Sequence, residues 1–324
     1  MRCDSHLPPA VPTAYLHSVM SPTPPTPDRQ PGPRVWLDMD QAALDDAYDH
    51  TRYAPNREHV ITRWGLNSAH ARAALGQPER HAYGPSAVEQ LDLFRTARSN
   101  APLGVFVHGG AWRGTTAASY ALLAETFVAA GAHLAILDFA SVDETGGDIR
   151  PLVEQVRRAV AWLYQHASSL DADPSRLYLT AHSSGAHLGG CLLTTDWARE
   201  DLPPDLVKGA FLISGMYDLR PVRLSSRSAY LRFDDEIEAA LSPIRHLDRL
   251  QTPLIVSYGT LETPEFQRQG RDFAAAVRAA GKPVTLLPAE GYNHFEILET
   301  LASPYGLLGR AALAQMGLRG PSAR

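Results

Sequence analysis

Six short apolar runs separated by longer amphipathic stretches constrain the fold of this chain more than any other feature. The runs cover residues 103–107, 133–137, 177–180, 209–213, 253–257 and 284–287. Each is nearly continuous in apolar character rather than alternating, which is the signature of strands covered on both faces. Between them, helical patterns run over 118–130, 149–166, 186–198, 264–280 and 303–316. In the second of these, Leu152, Val156, Ala159, Val160 and Leu163 recur at helical spacing. Short strands alternating with helices of this length predict βαβ units and an α/β fold, with a doubly wound, mostly parallel sheet and helices on both faces. Residues 36–98 read as an N-terminal helical piece leading into the first strands, around 80–95. Residues 218–248 are more than a simple crossover needs, so they are expected to form a small lid.

The ends differ from this rhythm. Nine prolines fall within residues 1–33, too many for a helix or a central strand, so a disordered tail is expected there. A second, short tail is expected over 319–324, leaving 34–318 as one catalytic domain. The proline-rich stretch has no apolar core like that of a signal peptide, and no apolar run approaches the 18 residues of a membrane span. A cytoplasmic protein without membrane association is therefore expected. The net charge of −5 argues against an electrostatic nucleic-acid binder. The two cysteines, Cys3 and Cys191, form neither a CxxC nor a Cys/His cluster, so no disulfide framework and no metal site is expected. No nucleotide-binding glycine pattern occurs, so no cofactor is expected either. The oligomeric state is left open, with a homodimer as one option.

The most informative segment joins the run ending at Thr180 to the helix that follows. It reads Ala181-His-Ser-Ser-Gly185, a G-x-S-x-G turn with Ala in the first position. Such an elbow exposes a serine hydroxyl above the sheet and needs small residues two before and two after the nucleophile. Ala181 and Gly185 satisfy that demand around Ser183. Choosing Ser184 instead would put His182 and Ala186 at the crowded positions. Ser183 is therefore the expected nucleophile.

Three further segments complete a hydrolytic set. His108-Gly-Gly-Ala-Trp112 directly follows the run ending at Val107. A glycine pair there lets backbone N–H groups approach a developing oxyanion. Gly109 or Gly110, Gly110 first, is assigned as donor together with Ser184. His108 is read as stabilising the loop. His294 lies in Glu290-Gly-Tyr-Asn-His294, beyond the last run, and is the sole histidine after His246. Its position fits the chain order serine, acid, histidine, so it is the expected base. Glu262, in the loop after 253–257, is the expected acid, with Asp218 as the main rival and Glu265 as a second. Trp112, Tyr217, Arg220 and Arg223 are candidate substrate contacts, the arginines, with Arg227 and Arg232 of the same stretch, as clamps for a carboxylate.

These motifs together resemble the α/β-hydrolase fold, and more narrowly the bacterial kynurenine formamidase-like hydrolases. Besides the segments above, the resemblance rests on Tyr83-Gly-Pro85, Ser214-Gly-Met-Tyr-Asp-Leu219, Thr263-Pro-Glu-Phe266 and Asn293-His-Phe295, and spans roughly residues 36–316. It implies a metal-free serine hydrolase acting on a small-molecule ester or N-formyl aryl amide through an acyl-enzyme. Ala181 and Glu262 stand where that family usually has Gly and Asp. The second difference leaves a general carboxylesterase as open as a formamidase. Thioester or carbamate hydrolysis, and a catalytically silent receptor on the same fold, are the alternatives.

Overall fold

The computed structural model describes residues 32–320; residues 1–31 and 321–324, on which most of the two expected tails fall, lie outside the described residues. Eight strands form one sheet: β1 (Glu79–Ala82), β2 (Gln90–Phe94), β3 (Ala101–Val107), β4 (His133–Leu137), β5 (Ala172–His182), β6 (Gly209–Ile213), β7 (Leu254–Gly259) and β8 (Val284–Ala289). Their spatial order is β8-β7-β6-β5-β3-β4-β2-β1. Strands β3 to β8 pair in parallel, whereas β1 pairs antiparallel with β2, and β2 with β4. A small hairpin, Arg34–Trp36 with Met39–Asp40, stands apart from this sheet.

Alternation explains why the strands read as unbroken apolar runs. In β3, Leu103, Val105 and Val107 pack into one hydrophobic cluster while Phe106 packs into another. In β6, Ala210 and Leu212 belong to the first cluster and Phe211 and Ile213 to the second. Successive side chains point to opposite faces, and both faces are buried. The helices Arg150–His166, Ser184–Leu193 and Pro264–Ala279 supply the first cluster. Leu307–Gln315 and the long N-terminal helix Arg57–Leu75 supply the second. The five residues expected to face inward from Arg150–His166 are all buried.

Several boundaries move for local reasons. The expected helix over 118–130 splits into a 3₁₀ stretch, Ala117–Leu123, and a short α-helix, Ala124–Ala129. The helix expected from 186 begins two residues earlier, at the elbow, and stops at Leu193. The last helix starts at Leu307 rather than 303, because Pro304 disfavours helical backbone at Ser303 and the Gly306 N-cap is extended. Residues 218–248 fold as two short helices, Leu219–Leu224 and Asp235–Ala240, joined by 3₁₀ turns. This insert is tied to the N-terminal helices: Gln41 Nε2 donates to Leu224 O, and Ser226 N donates to Asp45 Oδ1.

Candidate functional site

The end of β5 and the start of the next helix leave almost no room, and the sequence supplies what fits. Ser183 adopts φ +58° and ψ −126°, a region that costs a non-glycine residue about 1–3 kcal/mol and persists only where surroundings enforce it. Its N–H donates to Ile213 O at 2.9 Å, which fastens the turn to β6. A Cβ at position 185 would lie 2.3 Å from the carbonyl oxygens of both Val107 and His108. Gly185 is thus required by the close approach of the helix to the end of β3. The serine hydroxyl is held at the N-terminus of a ten-residue helix, whose first N–H groups have no intrahelical partners.

Ser183 is the first of three side chains joined by hydrogen bonds. Its hydroxyl lies 2.9 Å from His294 Nε2. His294 Nδ1 donates to Glu262 Oε2 at 2.8 Å. Glu262 Oε1 accepts from Ser214 Oγ and from Gly259 N, both at 2.6 Å. All three are buried. Each comes from a different strand end: Ser183 follows β5, Glu262 follows β7 and His294 follows β8. Asp218, the rival acid, instead N-caps Leu219–Leu224 and sits 3.6 Å from Arg245.

The loop after β3 faces the same point. Gly110 has φ +114°, and a Cβ there would fall 1.8 Å from Gly114 O, so no side chain can replace it. Among the described residues its N–H engages no acceptor. The loop is stiffened from beneath. His108 Nδ1 donates to Gly109 O at 2.8 Å, and its ring stacks between Phe139 and Tyr120. Trp112 N donates to Ser184 Oγ at 3.1 Å, tying the loop to the elbow.

Above Ser183 opens a cavity of about 380 Å³. Ser183, His294, His182 and Gly110 form its polar floor, and Trp64, Ile61, Tyr120 and Phe295 its apolar walls, with Arg227 and His50 at one side. Four of the candidate substrate contacts are not in that wall. Trp112 is buried, its indole donating to His187 Nδ1. Tyr217 is fully buried and stacks on Phe273. Arg223 pairs with Asp235 and Glu238 inside the insert. Arg220 is exposed in the first turn of Leu219–Leu224. The insert reaches the cavity through Arg227 instead.

His50 and Trp64 are lining residues that motif reasoning missed, whereas Arg227 belongs to the arginine stretch that the sequence had marked. His50 stacks on His294 with ring centroids 3.8 Å apart and planes within 18°. Burial first, then the neighbouring His294 and Arg227, hold its pKa well below the usual imidazole range. His182, whose Nε2 donates to His294 O at 3.0 Å, is likewise pushed well down, by burial and then by His294. Both rings are neutral at physiological pH. Among the described residues no three His, Cys, Asp or Glu side chains are grouped to hold a metal ion, and no helix is long and apolar enough to cross a membrane.

Comparison with known proteins agrees with this architecture. A family model described as BD-FAE matches residues 91–203. The kynurenine formamidase of Danio rerio is 30% identical over 296 residues, covering 87% of this chain and 98% of the relative. A crystal structure from Silicibacter sp. tm1040, a candidate thioesterase, shares 27% identity and superposes with a TM-score of 0.72, covering 83% of this chain and 98% of its own. A thermophilic esterase of Thermogutta terrifontis has the same fold, with a TM-score of 0.62 at 20% identity and coverage of 77% and 98%. The sheet order, the elbow and these likenesses define a hydrolase of the α/β-hydrolase fold. The chain belongs to the kynurenine formamidase family.

Proposed function

We propose that this protein is a serine hydrolase that cleaves N-formyl aryl amides, and simple carboxylic esters by the same route, with Ser183, His294 and Glu262 as its triad and residues 34–318 as its catalytic domain. The observation that carries the reading is the hydrogen-bonded line from Ser183 through His294 to Glu262 at the floor of a largely apolar cavity. Ser183 Oγ attacks the carbonyl carbon while its proton passes to His294 Nε2. The tetrahedral oxyanion is held by the N–H groups of Gly110 and Ser184. His294 then returns the proton to the departing amine or alkoxide, leaving an acyl-serine. Water, deprotonated by His294, attacks that ester, and the acid is released as Ser183 recovers its proton. Glu262 keeps the Nδ1–H tautomer and stabilises the imidazolium that forms in both steps. The N-formyl amide reading is supported by the zebrafish kynurenine formamidase, which aligns over nearly its whole length.

The test is covalent and kinetic. A fluorophosphonate should label Ser183 in the wild type, and Ser183→Ala should lose labelling and turnover of both N-formylkynurenine and p-nitrophenyl acetate while keeping its melting temperature. Wild-type turnover in that variant would sink the assignment. Turnover of the ester but not of the formamide by the wild type would restrict the activity to esters.

A further inference from the structure

Gly65 is a glycine that the fold does not require. It lies mid-way along the 19-residue helix Arg57–Leu75, where glycine weakens a helix relative to almost any other residue. Among the described residues Gly185, Gly189, Gly190, Gly270 and Gly309 also lie in α-helices, and at each a Cβ would come within 3.1 Å of a neighbouring atom. At Gly65 a Cβ would meet nothing within 4 Å, and the backbone there is ordinary helix rather than left-handed. Neither crowding nor backbone shape accounts for the missing side chain. A local preference broken without a structural return marks a functional position.

Its place in the helix shows what the gap faces. Ile61, Gly65, Ser68 and Arg72 recur at helical spacing and form one row along the helix. Toward its C-terminal end the row grips the stretch that follows the loop after β3. Ser68 Oγ donates to Ser119 O at 2.8 Å, and Arg72 donates to Ala118 O at 2.6 Å. One turn earlier, Gly65 lines the Ser183 cavity together with Thr115 and Ser119, and there helix and loop stand apart. A wider vestibule outside the cavity, of about 760 Å³, meets it at His50 and Arg227 but not at Gly65, Thr115 or Ser119. Gly65 and Thr115 are exposed, so the cavity has a second opening, a slot between the helix and residues 115–119. Trp64 and Tyr120 are the cavity residues beside it, and no charged side chain borders it among them.

We propose that Gly65 is a specificity-determining residue: the volume its side chain would fill admits an extended, uncharged part of the substrate, which leaves the Ser183 cavity between the helix and residues 115–119. This rests on the serine-hydrolase reading and adds a substrate shape to it, an ester or amide whose acyl or leaving group is long and neutral. Covering such a group with Trp64 and Tyr120 stabilises it in proportion to the apolar area removed from water. A side chain at position 65 closes the slot and penalises long substrates more than short ones.

The experiment compares long and short neutral esters. One pair varies the acyl group, 4-nitrophenyl octanoate against 4-nitrophenyl acetate. The other varies the leaving group, 4-(benzyloxy)phenyl acetate against phenyl acetate. The readout is the ratio of kcat/KM for the long to the short member, a ratio that a merely structural role for position 65 does not move. In the wild type this ratio should be one or more in at least one pair, and in Gly65→Leu it should fall tenfold or more in that pair. The pair affected tells which side of the scissile bond passes under the helix. A wild-type ratio below one in both pairs, or smaller changes in the variant, overturn the slot. If Gly65→Leu does not fold, Gly65→Cys decides the matter. Folded first and then capped with benzyl methanethiosulfonate, it should show the same tenfold fall relative to its uncapped form, with wild type treated alike as the control for Cys3 and Cys191; an unmoved ratio overturns the proposal. Esters turned over in a Ser183-dependent way with unmoved ratios defeat the slot alone. Absence of any Ser183-dependent turnover or labelling defeats the underlying reading.

Discussion

Replacing Glu262 by Gln tests the centre of the site by exchanging one oxygen for an NH₂ group, with almost no change of shape. Gly259 N can only donate, and it points at Oε1 from 2.6 Å. The carbonyl oxygen of a glutamine is therefore drawn to the Oε1 position, and its NH₂ group is forced against His294 Nδ1, which stood 2.8 Å from Oε2. Nδ1 must then accept, the ring proton moves to Nε2, and Nε2 can no longer take the proton of Ser183. In Ser-His-Asp proteases the corresponding Asp→Asn exchange costs about 10⁴ in kcat through this same inversion, or about 5 kcal/mol of barrier.

The enzyme has one escape, which sets the lower bound. Flipping the glutamine restores the useful tautomer but turns its NH₂ toward Gly259 N–H. Two buried donors are then left without acceptors, at about 1–3 kcal/mol each. That is about 2–6 kcal/mol before the lost negative charge behind the imidazolium is counted. Both routes give a loss of at least about 10² in kcat, and as much as about 10⁴, with KM for a p-nitrophenyl ester nearly unchanged. Glu262→Asp keeps the charge and the acceptor, one methylene farther back, and should lose less. Steady-state kinetics at pH 7–8, with melting curves to verify folding, makes the measurement. A Gln variant within tenfold of wild type would refute the role given to Glu262.

Three further outcomes are expected. Ser214→Ala removes one of two donors to Glu262 Oε1 and should lower kcat about tenfold, roughly half the energy of a hydrogen bond to a charged group; an unchanged kcat would show that Ser214 merely packs there. Gly185→Ala should gain up to about 1 kcal/mol of helix propensity but lose more, because its methyl meets two carbonyl oxygens at 2.3 Å and overpacking costs about 1–3 kcal/mol. Its melting temperature should therefore fall, and a rise would mean that β3 yields freely. His187 accepts from the Trp112 indole and donates to Leu241 O, and burial holds its pKa down to about 4. The unfolded chain binds a proton near pH 6.5 that the folded chain refuses, so stability falls as pH drops from 6.5 and levels off near 4, by about 3 kcal/mol for this residue. In His187→Gln the loss of unfolding free energy between pH 7 and 4 should shrink by about that amount, and an identical loss in urea titrations would contradict a buried neutral His187.

The parts of this site that were legible in the sequence are those whose chemistry is local in the chain. An elbow must be written in five consecutive residues, and an HGG loop in three, because each is a backbone shape. Even the departure at Ala181 has a local answer, since a Cβ on Gly189 would lie 3.1 Å from the Ala181 methyl and the glycine leaves that room. The cavity wall was not legible in this way, because it is assembled from segments with no shared motif. Val60, Trp64, Ser68 and Ala71 do lie on one buried stripe of Arg57–Leu75. That spacing was available, but nothing in it says that the stripe faces a serine more than a hundred residues away. The insert arginines were legible only in part, for a different reason. Positions 220, 223 and 227 look like one helical face, yet the helix ends at Leu224 and Ser225 starts a new 3₁₀ turn. Arg223 is thereby left with the acids of the insert, and Arg227 is turned toward the cavity.

The histidines show most plainly what sequence spacing omits. His108, His182 and His187 are as buried as His294 and His50 is partly buried, and each of these four rings is held below the usual imidazole range by burial first. Their hydrogen bonds, where they have any, are with backbone carbonyls, a hydroxyl, a thiol or an indole. Such partners fix a tautomer, and the carbonyls favour the cation by less than burial disfavours it. Among the buried histidines, His294 alone has a carboxylate on one ring nitrogen and a serine hydroxyl on the other. A ring so placed can gain and lose a proton within one catalytic cycle, whereas its neighbours resist gaining one. In the proposed mechanism the surrounding neutral rings serve the base: they fill the space around it with polarisable aromatic surface, as His50 does at 3.8 Å, without adding a competing positive charge. Thirteen histidines in the sequence do not distinguish these roles, because the difference between a base and its packing is which residue presents an anion to it, and Glu262 does so from 32 positions away.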